Sequence, residues 1–286
     1  MIAALAAFIA VLLTVTLQPS HGGRTMSNWL GRYDRDRSHE AVEAFRTMGA
    51  AAVPFLTKRL SRGPSLLSSN MLSLIWSELA EQNHIDALLK QRSSAYLLGE
   101  IGPSARAAEV QLVGLTNSAF APLRVSAQAA LIKIRGEPID WLVSALADRS
   151  DVETWYEHSL LTTELGPYAA SAVPVAVRAL NDTNILVQMG AMNMLSVIST
   201  KPSECVPAIV PFLRSPDVGL RQWAIFALSN FGTNAVSAKE AIRLLKMTQR
   251  SRAPVSTQLV WLVQRHRAIQ PVQSVSFAKT LQGVAT

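Results

Sequence analysis

Histidines with carboxylates close by in the sequence are the first residues in this chain that could do chemistry. The segment HEAVE, residues 39–43, differs by one residue from the zinc-protease helix motif, in which two histidines four positions apart share the metal. Its fifth position is Glu43, so His39 lacks the second histidine and we expect no zinc site. Glu157 and His158 are adjacent, and adjacent helical side chains do not face each other, so we expect no joint role for them.

The usual catalytic and cofactor motifs are also missing from the sequence. There is no glycine-rich phosphate loop, nucleophile elbow or paired-carboxylate motif, and the glycines around Glu100 are typical of a helix end. The single cysteine, Cys205, cannot form an intrachain disulfide and has no cysteine or histidine at metal-ligand spacing, so we expect a buried thiol. We therefore predict a non-enzymatic protein without a cofactor or a metal.

Two similar phrases, EAFRTMGAAAVPFLTKRLSR at 43–62 and LTTELGPYAASAVPVAVRALND at 161–182, indicate a repeat. Each contains an apolar-spaced run, a glycine turn, Ala-Val-Pro and a second apolar-spaced run. The Val-Pro or Val-Ser marker recurs at Val173, Val206 and Val236, at intervals of 33 and 30 residues. This period suits one pair of helices per unit.

Composition supports an all-α fold, because helix formers are abundant and strand-like alternating runs are scarce. An extra helix is predicted near 65–82, between the first and second units. The spacing of apolar residues and turn glycines predicts helices at 39–48, 51–61, 93–101, 104–116, 123–134, 138–147, 152–165, 173–180, 185–198, 204–214, 218–231, 235–248, 255–267 and 273–281.

The phrases AVPFLTKRL, LGEIGPSARAA and ELGPYAASAVPVAVRALND resemble HEAT repeats, particularly the short bacterial, phycobilisome-lyase-like kind. This resemblance implies an α-α superhelix, a solenoid of about six to seven units over 39–283 whose inner helices form a concave face. Two units depart from the pattern: one has STKPSE in place of its turn glycine, and another has Glu109-Val110 in place of Val-Pro.

The first seventeen residues carry no charge and are followed by Pro19 and a small-residue step. This stretch predicts an apolar leader helix, with 1–22 acting as a signal peptide or membrane anchor and 23–38 as a linker. The segment GRTMSNWLGRYD is similar to the entry of exported bacterial HEAT proteins. We therefore expect an extracytoplasmic location, periplasmic or membrane-anchored, in a bacterium.

The formal net charge of +7 is concentrated near the C-terminal end, where residues 239–286 carry eight basic residues and one acidic residue. Residues 63–238 carry eleven basic and fifteen acidic residues. The C-terminal cluster could contact an anionic membrane surface or phosphates, because clustered cations attract both without sequence preference. The candidate interaction residues there are Arg243, Lys246, Arg250, Arg252, Arg265 and Arg267.

Together these features predict a monomeric interaction scaffold that binds a protein or peptide on the concave face. The alternative is a nucleic-acid-binding protein that resembles HEAT-like DNA glycosylases and binds through the basic C-terminal units. In that case Asp140, beside Trp141, would be a weak candidate for the catalytic carboxylate. The export leader and the acidic middle argue against it. The third hypothesis is a bilin lyase, and only the repeat pattern supports it. Among the six tryptophans, any exposed one would be a binding anchor.

Overall fold

The computed structural model describes residues 20–61, 77–198 and 200–231, and these are predominantly helical. The expected all-α class is therefore confirmed for the described residues, whose only strands form a two-stranded antiparallel ladder, β1 (Ser20–His21) and β2 (Arg24–Thr25). The α-helices are α1 (Met26–Asp36), α2 (His39–Met48), α3 (Val53–Leu60), α4 (Ser77–Ile101), α5 (Glu109–Leu115), α6 (Ala121–Arg135), α7 (Asp140–Ala147), α8 (Val152–Leu165), α9 (Val173–Ala179), α10 (Ile185–Ile198), α11 (Pro202–Ile209) and α12 (Val218–Asn230).

The helices fall into two compact units that meet in sequence between Gly136 and Glu137. In the N-terminal unit, α4 packs against both α2 and α6, and α3 packs against α5. In the C-terminal unit, α10 packs against both α8 and α12, and α9 packs against α7 and α11. Each unit thus has a first layer (α2, α4 and α6, or α8, α10 and α12) and a second layer (α3 and α5, or α7, α9 and α11).

The repeated phrase produces the same backbone feature at Gly49, Gly102 and Gly166. Gly166 ends α8 with a φ of 58°, a 3₁₀ segment runs over Gly166–Ala172, and α9 begins at Val173. Gly102 ends α4 in the same way, with a φ of 71° followed by a 3₁₀ segment. Because L side chains rarely adopt positive φ, the glycine sets where the first-layer helix ends and the chain turns to the second layer.

Three parts of the structure differ from the expectations or lie beyond its described residues. Helix α4 is one continuous helix of 25 residues, so the helix expected to begin at 93 starts at least 16 residues earlier. Of the extra helix near 65–82, residues up to 76 lie outside the described residues and the remainder is the start of α4. The stretch 23–38, expected as a linker, contains β2 and α1.

The apolar leader and the last three predicted helices cannot be compared with the structure. Residues 1–19 and the helices expected at 235–248, 255–267 and 273–281 lie outside the described residues. Within 20–61, 77–198 and 200–231, no helix combines the length and the apolar character needed to cross a membrane.

Close contacts at two glycines accompany the packing of neighbouring first-layer helices. A Cβ placed on Gly99 of α4 would lie 2.9 Å from Cα of Ala130 in α6, and one on Gly190 of α10 would lie 2.8 Å from Cζ3 of Trp155 in α8. Trp155 itself is 1% exposed, and its Nε1–H donates to the Leu146 carbonyl at 3.0 Å. These glycines are therefore required by helix packing and not by turns.

One buried carboxylate links three consecutive first-layer helices of the N-terminal unit. Glu100 of α4 accepts hydrogen bonds from Arg46 of α2 and from Nζ of Lys133 of α6, the latter at 2.7 Å, and its side chain is 6% exposed. Burial alone raises the pKa of Glu100, but the charges and hydrogen bonds of Lys133 and Arg46 outweigh it, so the pKa lies below the ordinary 4.5.

Candidate interaction surface

The residues proposed from sequence as an interaction cluster lie outside the described residues, since all six fall between 243 and 267. The HEAVE segment forms the start of α2, where His39 and Glu40 are exposed and Glu40 pairs with Arg32 of α1 at 2.8 Å. Within the described ranges, no three His, Cys, Asp or Glu side chains are grouped closely enough to hold a metal ion.

The tryptophans divide sharply by exposure. Trp29 and Trp155 are buried, Trp223 is partly buried, and Trp141 is 51% exposed. Trp76 and Trp261 lie outside the described residues. Tryptophan side chains are usually mostly buried, and exposed ones often anchor binding partners. Among the described tryptophans, Trp141 is therefore the best candidate for a binding anchor.

Helix α7 positions this indole by burying its opposite face. Leu142 and Leu146 are fully buried, whereas Trp141 and Ser144 are exposed one helical turn apart. The indole meets the ring of His158 in α8 in an edge-to-face arrangement, with centroids 6.1 Å apart and an interplanar angle of 77°. This edge-to-face contact holds one side of the indole while leaving the rest open to solvent.

The part of the chain that includes Trp141, residues 137–157, is acidic. Exposed carboxylates occur on α7, on the loop after it and on the first two turns of α8, at Asp140, Asp148, Asp151, Glu153 and Glu157. The only basic residue between 137 and 160 is Arg149, whose Nε lies 3.4 Å from the Asp182 carboxylate. The local field is therefore negative, and it favours positively charged groups.

Two of these carboxylates are held in their charged form by hydrogen bonds. The Ser150 backbone N–H donates to Asp148 at 3.0 Å, and this bond lowers the pKa of Asp148. The Thr154 hydroxyl and the Glu153 backbone N–H donate to Asp151 at 2.5 Å and 3.0 Å, and these bonds lower the pKa of Asp151. Both side chains therefore remain anionic through the physiological range of pH.

From the sequence, Asp140 beside Trp141 was only a weak catalytic candidate for the DNA-glycosylase-like alternative, and the pairing of Trp141 with His158 was not identified. The exposed Tyr168 was also missed, although its hydroxyl donates to the Glu137 carbonyl at 2.9 Å and so ties the turn before α9 to the start of α7. A usable signal was the run of acidic residues from 137 to 157, which includes both Trp141 and Trp155. Comparison of the chain with protein-family models and with curated proteins gives no match in either set.

Proposed function

We propose that this chain is a non-enzymatic interaction scaffold, made of HEAT-type helical hairpins stacked into a solenoid, that binds a positively charged segment of a partner protein around Trp141. The observation that carries the proposal is the half-exposed indole on α7, which lies in a stretch of the chain, 137–157, rich in exposed carboxylates. An arginine or lysine placed on the indole face would gain a cation–π contact and a nearby counter-charge. The stacking of consecutive helices within each unit supports the solenoid part of the proposal.

The scaffold is proposed to be monomeric and either exported or tethered to the membrane by residues 1–22. The support is the uncharged stretch at 1–17. Fractionation of cells that express the full chain tests this part: recovery in the soluble cytoplasmic fraction would contradict both export and tethering.

Selection of displayed random 12-residue peptides on the purified full chain tests the binding surface. Selected peptides should carry net positive charge and include arginine or lysine. Trp141→Ala should weaken their affinity by at least about tenfold, because loss of an aromatic anchor commonly costs 2 kcal/mol or more. Val110→Ala is the matched control, since Val110 is 81% exposed and belongs to the N-terminal unit.

Two results would contradict the proposal. The first is selection of neutral or acidic peptides whose binding is the same in Trp141→Ala and the control. The second is tight, salt-sensitive binding of duplex DNA that is lost when Arg243, Arg250 and Arg252 are changed to glutamine, which would make nucleic-acid binding the function instead.

A further inference from the structure

A second surface, in the N-terminal unit, has the opposite charge. A hollow of about 340 Å³ lies against the N-terminal part of α1 and is lined by Arg24, Ser27, Asn28, Gly31, Arg32 and Arg35. Three of these six residues are arginines and none is acidic. Like charges gathered around one hollow repel each other, so the arrangement is stabilised by an anion that enters it.

The β-hairpin before α1 places the first arginine. Gly22 and Gly23 both have positive φ, 55° and 72°, as the two central residues of a tight hairpin turn require. The turn returns the chain so that Arg24 lies over Trp29, with Cζ 5.1 Å from the ring centroid. Trp29 is buried, and its Nε1–H donates to the His21 carbonyl at 2.9 Å, which fixes the indole to the hairpin.

Helix α1 supplies the other two arginines. The guanidinium Cζ of Arg32 lies 5.4 Å from the centroid of the same indole, so Arg24 and Arg32 share Trp29 as a platform. Arg35 follows Gly31 by one turn and is exposed. Arg32 is partly neutralised by Glu40, but among the described residues neither Arg24 nor Arg35 has a carboxylate partner.

The remaining lining residues suit an oxyanion. Ser27 and Asn28 lie in the first turn of α1, where the positive end of the helix dipole and polar side chains favour negative charge. Gly31 leaves this part of the lining open, because outside the backbone of its own helix the nearest atom to a Cβ built there is Nη1 of Arg35 at 3.8 Å. Guanidinium groups with free N–H donors recognise phosphate oxygens well.

We propose that this hollow binds the phosphate of an anionic phospholipid headgroup. Its position in the chain favours a lipid over a free phosphate, since only a few residues separate Arg24 from the uncharged stretch at 1–17. The hairpin that includes Ser20 and His21 is part of the folded unit, so cleavage of the leader near residue 22 would remove the acceptor of the Trp29 hydrogen bond. A retained leader would keep the hollow at the bilayer surface.

Native mass spectrometry of the full chain, released from detergent micelles, tests this proposal. Phosphatidylglycerol should bind as one adduct at low concentration, and phosphatidylcholine at least about tenfold more weakly, because choline neutralises its phosphate. Each arginine near an anionic lipid contributes roughly 1 kcal/mol, so Arg35→Gln should raise the Kd about fivefold and Arg24→Gln/Arg35→Gln more than tenfold. Arg106→Gln is the matched control, since Arg106 is an exposed arginine of the same unit outside the hollow.

A second variant keeps the test decisive if loss of Arg24 disturbs the hairpin. Gly31→Glu places a carboxylate among the three arginines without removing any of them, and it should abolish the phosphatidylglycerol adduct while the helical circular dichroism is kept. Equal binding by all variants would overturn the proposal, as would equal binding of the two lipids. Displacement of the lipid by equimolar inorganic phosphate would also overturn it, by showing that the ligand is a free phosphate.

Discussion

The buried carboxylate of Glu100 offers the sharpest test of how the N-terminal unit is held together. Glu100→Gln keeps the shape of the side chain but removes the charge that α2 and α6 share through Arg46 and Lys133. The Lys133 side chain is 10% exposed, so its ammonium group would keep its charge in a poorly hydrated place after losing this carboxylate. The Arg46 side chain is 44% exposed and also pairs with Glu43. Its guanidinium would therefore stay hydrated and paired, and losing the Glu100 contact would cost it less free energy.

The magnitude follows from this difference in burial. Removing one partner of a buried ion pair costs about 3–5 kcal/mol, and the glutamine oxygen can still accept one hydrogen bond. We therefore expect Glu100→Gln to lower the free energy of unfolding by about 2–4 kcal/mol at pH 7. With a urea dependence of about 1–3 kcal/mol per molar, the unfolding midpoint should fall by about 1–2 M.

Urea titrations at several pH values provide the assay, and the sign is set by the pKa of Glu100. Because its pKa in the folded state is lower than 4.5, its stabilisation is fully present above the unfolded value and is lost as the pH falls through the folded value. The difference between wild type and Glu100→Gln should therefore be constant above about pH 5.5 and should shrink below about pH 4.5.

Glu43→Gln is the control, because Glu43 also pairs with Arg46 but its side chain is 63% exposed. Exposed pairs contribute about 0–1 kcal/mol, so this variant should differ little from wild type. The reasoning would be refuted if both variants lost the same stability, or if the loss in Glu100→Gln did not change with pH.

Three further outcomes follow from individual contacts. Gly190→Ala should lower the free energy of unfolding by about 1–3 kcal/mol, measured by heat or urea, because the new methyl group would clash with Trp155. Gly114→Ala in α5 is the control and should raise it by about 0.5–1 kcal/mol, because no atom lies within 4 Å of the new Cβ. Equal effects of the two variants would contradict the Gly190–Trp155 contact. The Cys205 thiol is fully buried and burial raises its pKa to about 11, so Ellman's reagent at pH 8 should label it only after urea unfolding, and fast labelling of the folded chain would contradict this. Asp151→Ala removes the N-cap of α8 and should cost about 1 kcal/mol in urea unfolding at pH 7, with no loss as the contrary result.

Much of the helical layout could be predicted because glycine and proline act locally. The phrase at 161–182 contains its own stop and start signals, Gly166 and Pro174, and the structure ends α8 and begins α9 beside them. The early start of α4 was missed because residues 77–92 contain no glycine or proline to mark where the helix begins. Glycine and proline residues therefore predict where a helix ends better than where a long helix begins.

The two candidate binding surfaces could not be predicted because exposure is decided by distant neighbours. Trp141 and Trp155 both lie on amphipathic helices, yet one is half exposed and the other is buried against Gly190 of α10. The sequence did not show that the glycine pair at 22–23 would bring Arg24 over Trp29.

Polar contacts between consecutive first-layer helices explain how a surface built from two helices keeps its geometry. In the C-terminal unit, Asn193 of α10 donates to Thr163 of α8 at 3.4 Å, and Asn230 of α12 donates to Ser196 of α10 at 3.3 Å. Such bonds add only about 1 kcal/mol each, but Asn193 is 3% exposed, so a slip of one turn would leave its side-chain N–H groups buried and unpaired at a cost of about 1–3 kcal/mol. Alanine- and leucine-rich faces alone would tolerate that slip more easily. The Asn193 contact therefore opposes a slip of α8, the helix that carries His158, along α10.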